Sequence, residues 1–290
     1  MPIANVRGVS LNYEILGDRG PAMALTPGGR NSLANVKPYA EAVAAQGYRV
    51  LIHDRRNCGA SDVSFDGSKS EYEIWADDLH TLLKQLDMLP AIVGGTSSGA
   101  RLSLLLAMRY PQDVRALVLW RITGGEFAIK RLSEKYYDQY IRLAQQGGMA
   151  AVCQEEHFAE RIRDRPGNRE RLMAIDPNDF IATLRKWREP FAASGNLPLI
   201  GTTEADLRSI TIPTCIIPGD DLTHGSQHGI NAARIMPNSE LYSLTTGDRD
   251  VDITPPEEWY ARAGAIAKIF ADFLARKLPQ EKAVPLRASA

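Results

Sequence analysis

The stretch "AIVGGTSSGARLS", residues 91–103, sets two serines among glycines between an apolar run and a helix-forming run. A phosphate-cradling loop needs Gly, four residues, Gly, then Lys and Ser or Thr, so that an ammonium reaches the phosphates. Gly94 and Gly99 have that spacing, but Ala100 and Arg101 stand where the Lys and Ser/Thr belong. A dinucleotide loop needs Gly-x-Gly-x-x-Gly after the first strand, with an acid ~20 residues on. Here the spacing is wrong and the position comes too late. What remains is Gly-x-Ser-x-Gly, present as Gly95-Thr96-Ser97-Ser98-Gly99. This strand-to-helix turn is so tight that its central residue takes a strained backbone and its flanks must be small. It lifts the Ser97 hydroxyl clear of the sheet edge and faces the Ser98 amide toward the place where an oxyanion forms. The competing reading is a small-residue turn with an idle serine. The strand before and the buried helix after favour the elbow.

Outward from this turn, the first ~120 residues alternate strand and helix patterns, as an α/β domain with a largely parallel sheet does. "VSLNYEIL" reads as an edge strand. "AMALTP", "YRVLIHD", "AIVGG" and "RALVLW" read as short or buried strands. "VKPYAEAVAAQG" and "YEIWADDLHTLLKQLDM" have helical spacing, and "ARLSLLLAMRYP" is apolar nearly all round, as a buried helix is. From Glu126 to about Asp206 the chain is charged, helical and almost free of strand signals. Strand pattern returns at "ITIPTCIIPGD" and "SELYSL", and a long amphipathic helix, "EEWYARAGAIAKIFADFLARK", follows. The expected organisation is a core of residues 1–125 and 207–278, a helical insertion over 126–206 and a loose polar tail at 279–290.

The 290 residues suffice for one large domain with an insertion. A formal net charge of −1 gives no polyanion-binding surface and no field steering the chain to a membrane. No apolar run approaches the ~20 residues that span a bilayer. Nucleic-acid and membrane partners are therefore not expected. Three widely spaced cysteines, Cys58, Cys153 and Cys215, argue against a disulfide framework and fit a reducing compartment. The opening "MPIANVRGVS" lacks the apolar segment of a signal peptide, so a cytoplasmic location is expected.

Two further stretches matter. "LTPGGRNS" follows the strand at 22–25, and "HDRRNCGASD" follows the strand at 48–52. With the elbow, they resemble the α/β-hydrolase superfamily, in particular its esterase, epoxide-hydrolase and proline-iminopeptidase-like branch. That branch commonly carries Asp-x-Arg-Gly-x-Gly-x-Ser, matched by Asp54, Arg56, Gly59 and Ser61, with Asn57 in place of a glycine. Its His-Gly-x is matched only partly, because Pro27 replaces the histidine before Gly28 and Gly29. The resemblance covers nearly the whole chain. It implies an α/β fold, a mostly parallel central sheet flanked by helices, with a helical cap inserted after the sixth strand. It also implies Ser97 as nucleophile, the amides of Ser98 and Gly29 as oxyanion hole, and an acid after "TCIIPG". Asp220 and Asp221 stand there, with Asp221 preferred, and Glu126 occupies a second location used by some members.

A serine hydroxyl is a weak nucleophile at neutral pH and needs an adjacent base. In the resembled family the base is a histidine after the last strand, but here that loop, "TTGDRDVDITPPEEW", has none, and none follows His228. Three explanations compete. His224, in the acid's loop, substitutes, oriented by Asp220 or Asp221. Asp248 or Asp250 substitutes, although a carboxylate near pKa ~4 is a poor base unless burial raises it. Or Ser97 is not a conventional acyl acceptor, and the pocket binds a ligand or runs a cofactor-free reaction. Arg30, just after the glycines, could pair with a substrate carboxylate or make a structural ion pair. Trp120 and Arg121, ending a strand on the same rim, are expected to contact ligand. His224 and His228 do not make a metal site, because Gly225 interrupts their spacing and only two nitrogens lie locally. The expectation is thus a hydrolase of a small organic ester, lactone, amide or activated C–C bond. No metal and no cofactor are implied, a small-molecule substrate is the partner, and there is room for a homodimer. The alternative is a non-hydrolytic ligand-binding protein or a cofactor-free lyase on the same fold.

Overall fold

The computed structural model describes residues 2–279. The polar tail expected at 279–290 lies, from residue 280 on, outside them. Eight strands form one sheet: β1 (Ile3–Val6), β2 (Val9–Leu16), β3 (Ala22–Thr26), β4 (Arg49–His53), β5 (Ala91–Thr96), β6 (Val114–Trp120), β7 (Thr214–Ile217) and β8 (Ser239–Leu241). Their order is β1-β2-β4-β3-β5-β6-β7-β8. The β1–β2 and β2–β4 pairs are antiparallel and the rest parallel. "VSLNYEIL" is therefore not the edge. It pairs on both sides, and the short "IANV" strand lies outside it.

The central strands read as near-continuous apolar runs because both faces of the sheet are covered. Alternate residues separate into two cores. Ala24, Leu51, Val93, Leu117 and Leu119 pack on one face, and Met23, Leu25, Val50, Ile52, Ala116, Val118 and Trp120 on the other. The second core is closed by α1 (Lys37–Ala44) and by the C-terminal helices. The long terminal pattern is two helices, α11 (Pro256–Tyr260) and α12 (Ala263–Lys277), in our numbering. The first core is closed by α2 (Glu71–Gln85) and α3 (Ser98–Arg109). A capping box at Ser70 and Glu73 starts α2, satisfying two amides that the first turn leaves unpaired.

Between β6 and β7 the chain is helical: α4 (Gly125–Ser133), a π-helical turn over Glu134–Asp138, α5 (Gln139–Gln154), α6 (Glu156–Asp164), α7 (Gly167–Met173), α8 (Pro177–Ala192) and α9 (Glu204–Ser209). Tyr137, Tyr140, Phe158, Phe180 and Trp187 form the interior of this insertion. His157 is half-buried, and its Nε2 lies 3.2 Å from Asn57 O. The remaining helix, α10 (Ser226–Ile235), joins β7 to β8.

The "HDRRNCGASD" stretch builds the support for the loop after β3. Asp54 accepts hydrogen bonds from the Leu33 and Ala60 amides and from Asn12 Nδ2, while Ser61 Oγ donates to Asp54 O. Arg56 grips Asp78 through two hydrogen bonds, at 2.6 and 2.8 Å. Asn57, standing where the resembled pattern has glycine, has φ +67°, a conformation that asparagine tolerates better than most side chains.

Candidate active site

The turn between β5 and α3 is strained at one residue. Ser97 has φ +54° and ψ −116°, and its amide donates to Trp120 O at 3.3 Å and Arg121 O at 3.1 Å. The glycines around it are dictated by contact. A Cβ on Gly95 would lie 2.6 Å from Thr26 O and 2.7 Å from Gly99 C, and a Cβ on Gly99 would overlap Thr26 O. Nothing larger than hydrogen lets α3 start this close to β3. The loop after β3 also approaches closely, since a Cβ on Gly28 would meet Ser97 Cβ at 3.0 Å. Gly29, at φ +52°, lines the same cavity as Ser97. Arg55, lying 4.4 Å over the Trp75 ring, donates from Nη2 to Gly29 O at 2.6 Å and Gly28 O at 3.4 Å. Arg161 donates to Arg30 O at 3.1 Å. Two buried guanidiniums thus fix the backbone that carries the Gly29 N–H.

The polar cavity, about 100 Å³, is lined by Ser97, Gly28, Gly29, Arg121 and His224, and by Lys135 and Tyr136 of the π-helical turn. A smaller apolar recess, about 10 Å³, meets Ser97 and Ser98 from the other side and includes Tyr72, Leu104, Leu132 and Phe191. Ser97 Oγ lies 3.0 Å from Thr123 Oγ1, a partner that no sequence signal singles out beyond its place just after β6.

On the far wall, His224 and Asp221 are joined. His224 Nδ1 lies 2.8 Å from Asp221 Oδ1, whose carboxylate also receives the His224 amide at 2.8 Å and the Thr254 amide at 2.9 Å. Arg121 Nη2 reaches Asp221 Oδ2 at 2.7 Å and approaches His224 Nδ1 at 3.3 Å. Asp221 is buried, yet its hydrogen bonds from His224 and Thr254 and the Arg121 charge outweigh that desolvation and hold it well below the usual carboxylate range. An ionised Asp221 fixes the imidazole proton on Nδ1, leaving Nε2 unprotonated. Burial pushes the His224 pKa down, the Asp221 hydrogen bond pulls it up, and Arg121 pushes it down again; the net shift is downward. Among the described residues no hydrogen bond joins His224 to Ser97, although both line one cavity.

The structure separates the other candidates. Asp220 accepts from Thr254 Oγ1, Trp259 Nε1 and Arg262 Nη1, so it anchors the segment before α12 and does not meet His224. Glu126 is exposed in the first turn of α4. Asp248 is exposed and accepts from the Ser226 amide at the start of α10, and Asp250 is exposed too. Trp120 is not a rim residue. It shares strand parity with Ala116 and Val118, is fully buried in the second core, and packs on Tyr39 and Phe270. Arg30 does not face the cavity either. Its guanidinium is buried against Glu71 at 3.0 Å and lies over the rings of Tyr136 and Tyr137. Arg121 does line the cavity.

A model of the α/β hydrolase fold family matches residues 21–143. The chain is 38% identical to the sn-1-specific diacylglycerol lipase ABHD11 of Mus musculus over 119 residues, 40% of this chain and 38% of the lipase. It spans about two fifths of the length of such curated relatives. It is 26% identical to the 2-hydroxymuconate semialdehyde hydrolase of Pseudomonas putida over 242 residues, 81% of this chain and 82% of that protein. The crystal structure of the enol-lactonase from Burkholderia xenovorans LB400 superposes with a TM-score of 0.63 at 20% identity, covering 94% of this chain and all of that one. Elbow, sheet order and matched segment agree: the chain has the α/β-hydrolase fold, and its residues 21–143 match that family's model.

Proposed function

We propose that this chain is a cofactor-independent serine hydrolase acting on a small organic ester, lactone, amide or activated C–C bond. One observation carries the reading: Ser97, strained at φ +54°, opens on the same cavity as His224, whose imidazole is paired with the buried Asp221 behind it. In this reading Ser97 Oγ attacks the substrate carbonyl and its proton passes to His224 Nε2. The Gly29 and Ser98 amides receive the developing oxyanion, because α3 leaves its first amides unpaired and Arg55 steadies the Gly29 peptide. Asp221 keeps the imidazole in the accepting tautomer and stabilises its charged form. The tetrahedral intermediate collapses as the protonated His224 gives its proton to the departing group, leaving an acyl-enzyme. Water, deprotonated by the again neutral His224, then attacks the acyl carbonyl, and the acid is released as the proton returns to Ser97 Oγ. In free enzymes the serine–base contact is often long and tightens only around substrate. The relatives named as hydrolases support the class of reaction.

The Ser97–Thr123 contact favours a second reading, in which the serine binds a ligand without forming an acyl-enzyme. A fluorophosphonate probe separates the two. The hydrolase reading expects one adduct per chain, located on Ser97 by peptide mass spectrometry. Folded protein that stays unmodified, and turns over no p-nitrophenyl ester, belongs to the second reading.

The pH profile gives a further prediction. His224 is active as base when neutral, and its pKa is held down by burial and Arg121. The acid limb of kcat/KM therefore lies below the ordinary histidine range. Arg121→Gln removes one downward push, so the acid limb moves to higher pH. An acid limb that stays in place in Arg121→Gln would show that this arginine does not set the titration of the base.

A further inference from the structure

The cavity shared by Ser97 and His224 is unbalanced in charge. Among the described residues Arg121, Arg131 and Lys135 line it, and no carboxylate does. The apolar recess adds Arg101, again with no carboxylate in its wall. Asp221 answers Arg121 on one side, but Arg121 is 8% exposed and its Nε is buried without a hydrogen-bond partner. Arg131 meets a carboxylate only at 3.8 Å, and that residue, Asp252, is 68% exposed, so the contact neutralises little. Among the described residues the Lys135 ammonium has no hydrogen bond or ion pair. The Lys135 residue is exposed overall, and its pKa is lowered by partial desolvation and by Arg131, with only Glu155 pulling the other way. Arg131 and Lys135 are four residues apart on one face of the helical segment above Ser97, so both can engage one group. The amides of Asn31 and Asn35 border the same space.

Resting on the hydrolase reading, we propose that the substrate is an acyl compound bearing a free carboxylate, bound by Arg131 and Lys135 while its scissile carbonyl lies at Ser97. Charge-assisted hydrogen bonds from two cations offset the desolvation of a carboxylate, which a neutral cavity of this size would reject. An acyl chain ending in methyl, by contrast, would leave Lys135 unpaired and Arg131 with only the exposed Asp252.

The test compares mono-p-nitrophenyl glutarate with p-nitrophenyl pentanoate, esters of equal acyl length that differ in the terminal charge. Wild type is expected to favour the acidic ester in kcat/KM by about tenfold or more, a preference that weakens with added salt. In the Arg131→Gln/Lys135→Gln variant the ratio falls to about one, mainly through KM. A second measurement does not depend on turnover: calorimetric titration of Ser97→Ala with monomethyl glutarate and with methyl pentanoate. Saturable binding of the acidic ester alone, abolished when both cations are replaced, supports the proposal. A ratio near one in wild type, or binding indifferent to the two substitutions, overturns it. Carboxylate binding without any ester turnover upholds the anion site and overturns the hydrolase reading instead.

Discussion

Ser97→Ala and His224→Ala each lower ester turnover by about 10⁴-fold or more, and the double variant loses no more than the worse single variant. The expectation follows from how the two groups depend on each other. Without a base the Ser97 hydroxyl remains a poor nucleophile, and without the hydroxyl the imidazole has no proton to take. Each single change therefore removes the same event, and the two losses overlap. What survives is the work of the Gly29 and Ser98 amides on bound ester, so the residue of activity stays above the uncatalysed rate. His224 is the sharper half of the test because it does not touch Ser97 in this structure and it belongs to the acid's loop. Near wild-type kcat in His224→Ala removes it from the mechanism. Losses that multiply in the double variant mean that the two residues act separately. Circular dichroism and a denaturation midpoint close to wild type keep the comparison valid, since the change leaves Asp221 its contacts with Arg121 and Thr254.

How much of this was legible depends on whether local contact or distant packing decided each residue. The elbow could be read because its glycines answer to fixed backbone a few residues away or on the adjacent strand, with Thr26 O against Gly95 and Gly99. The Asp54–Ser61 segment could be read for the same reason, since its hydrogen bonds close largely on itself and on neighbouring loops. Trp120 was misread as a rim residue although strand period contains the answer. Counting by twos from Ala116 assigns it to the core that α1 and α12 cover. Arg30 was harder, because its partner Glu71 is 41 residues on and the rings around it come from the helical insertion. No spacing in the sequence joins those segments. Thr123 is a similar case. A threonine three residues past a strand is ordinary, and only the path of the chain after Arg121, itself at φ +50°, brings it to Ser97. The proposed base, His224, is the limiting example. A motif search looks for histidine after the last strand. Here that stretch contributes backbone, with Val251 O, Asp252 O and the Thr254 amide bonded to the 221–224 loop.

Gly99→Ala destabilises the protein by about 3–5 kcal/mol, while Gly264→Ala, the same chemical change, stabilises it by up to about 1 kcal/mol. At Gly99 the added methyl overlaps Thr26 O and lies 2.8 Å from Thr26 C and 2.9 Å from Pro27 O. All three are backbone atoms of β3 and the loop leaving it, so no rotamer change relieves the contact. Relief requires α3 to move off the sheet, which would open the core that Ala100, Leu102 and Leu104 fill. The same movement draws the Ser98 amide and Ser97 away from Gly29, so ester turnover falls with stability. At Gly264, exposed near the start of α12, nothing lies within 4 Å of the added methyl. There the gain comes from restricting the unfolded chain and from helix propensity. Urea denaturation of both variants measures the difference, and slopes equal to wild type would show that the surface exposed on unfolding is unchanged. If Gly99→Ala melts with wild type and keeps its turnover, the close approach of α3 to β3 is not what holds Ser97 in its strained conformation. The small flanking residue would then serve an end other than sterics, and the physical reason for reading Gly-x-Ser-x-Gly as an elbow in this chain would be gone.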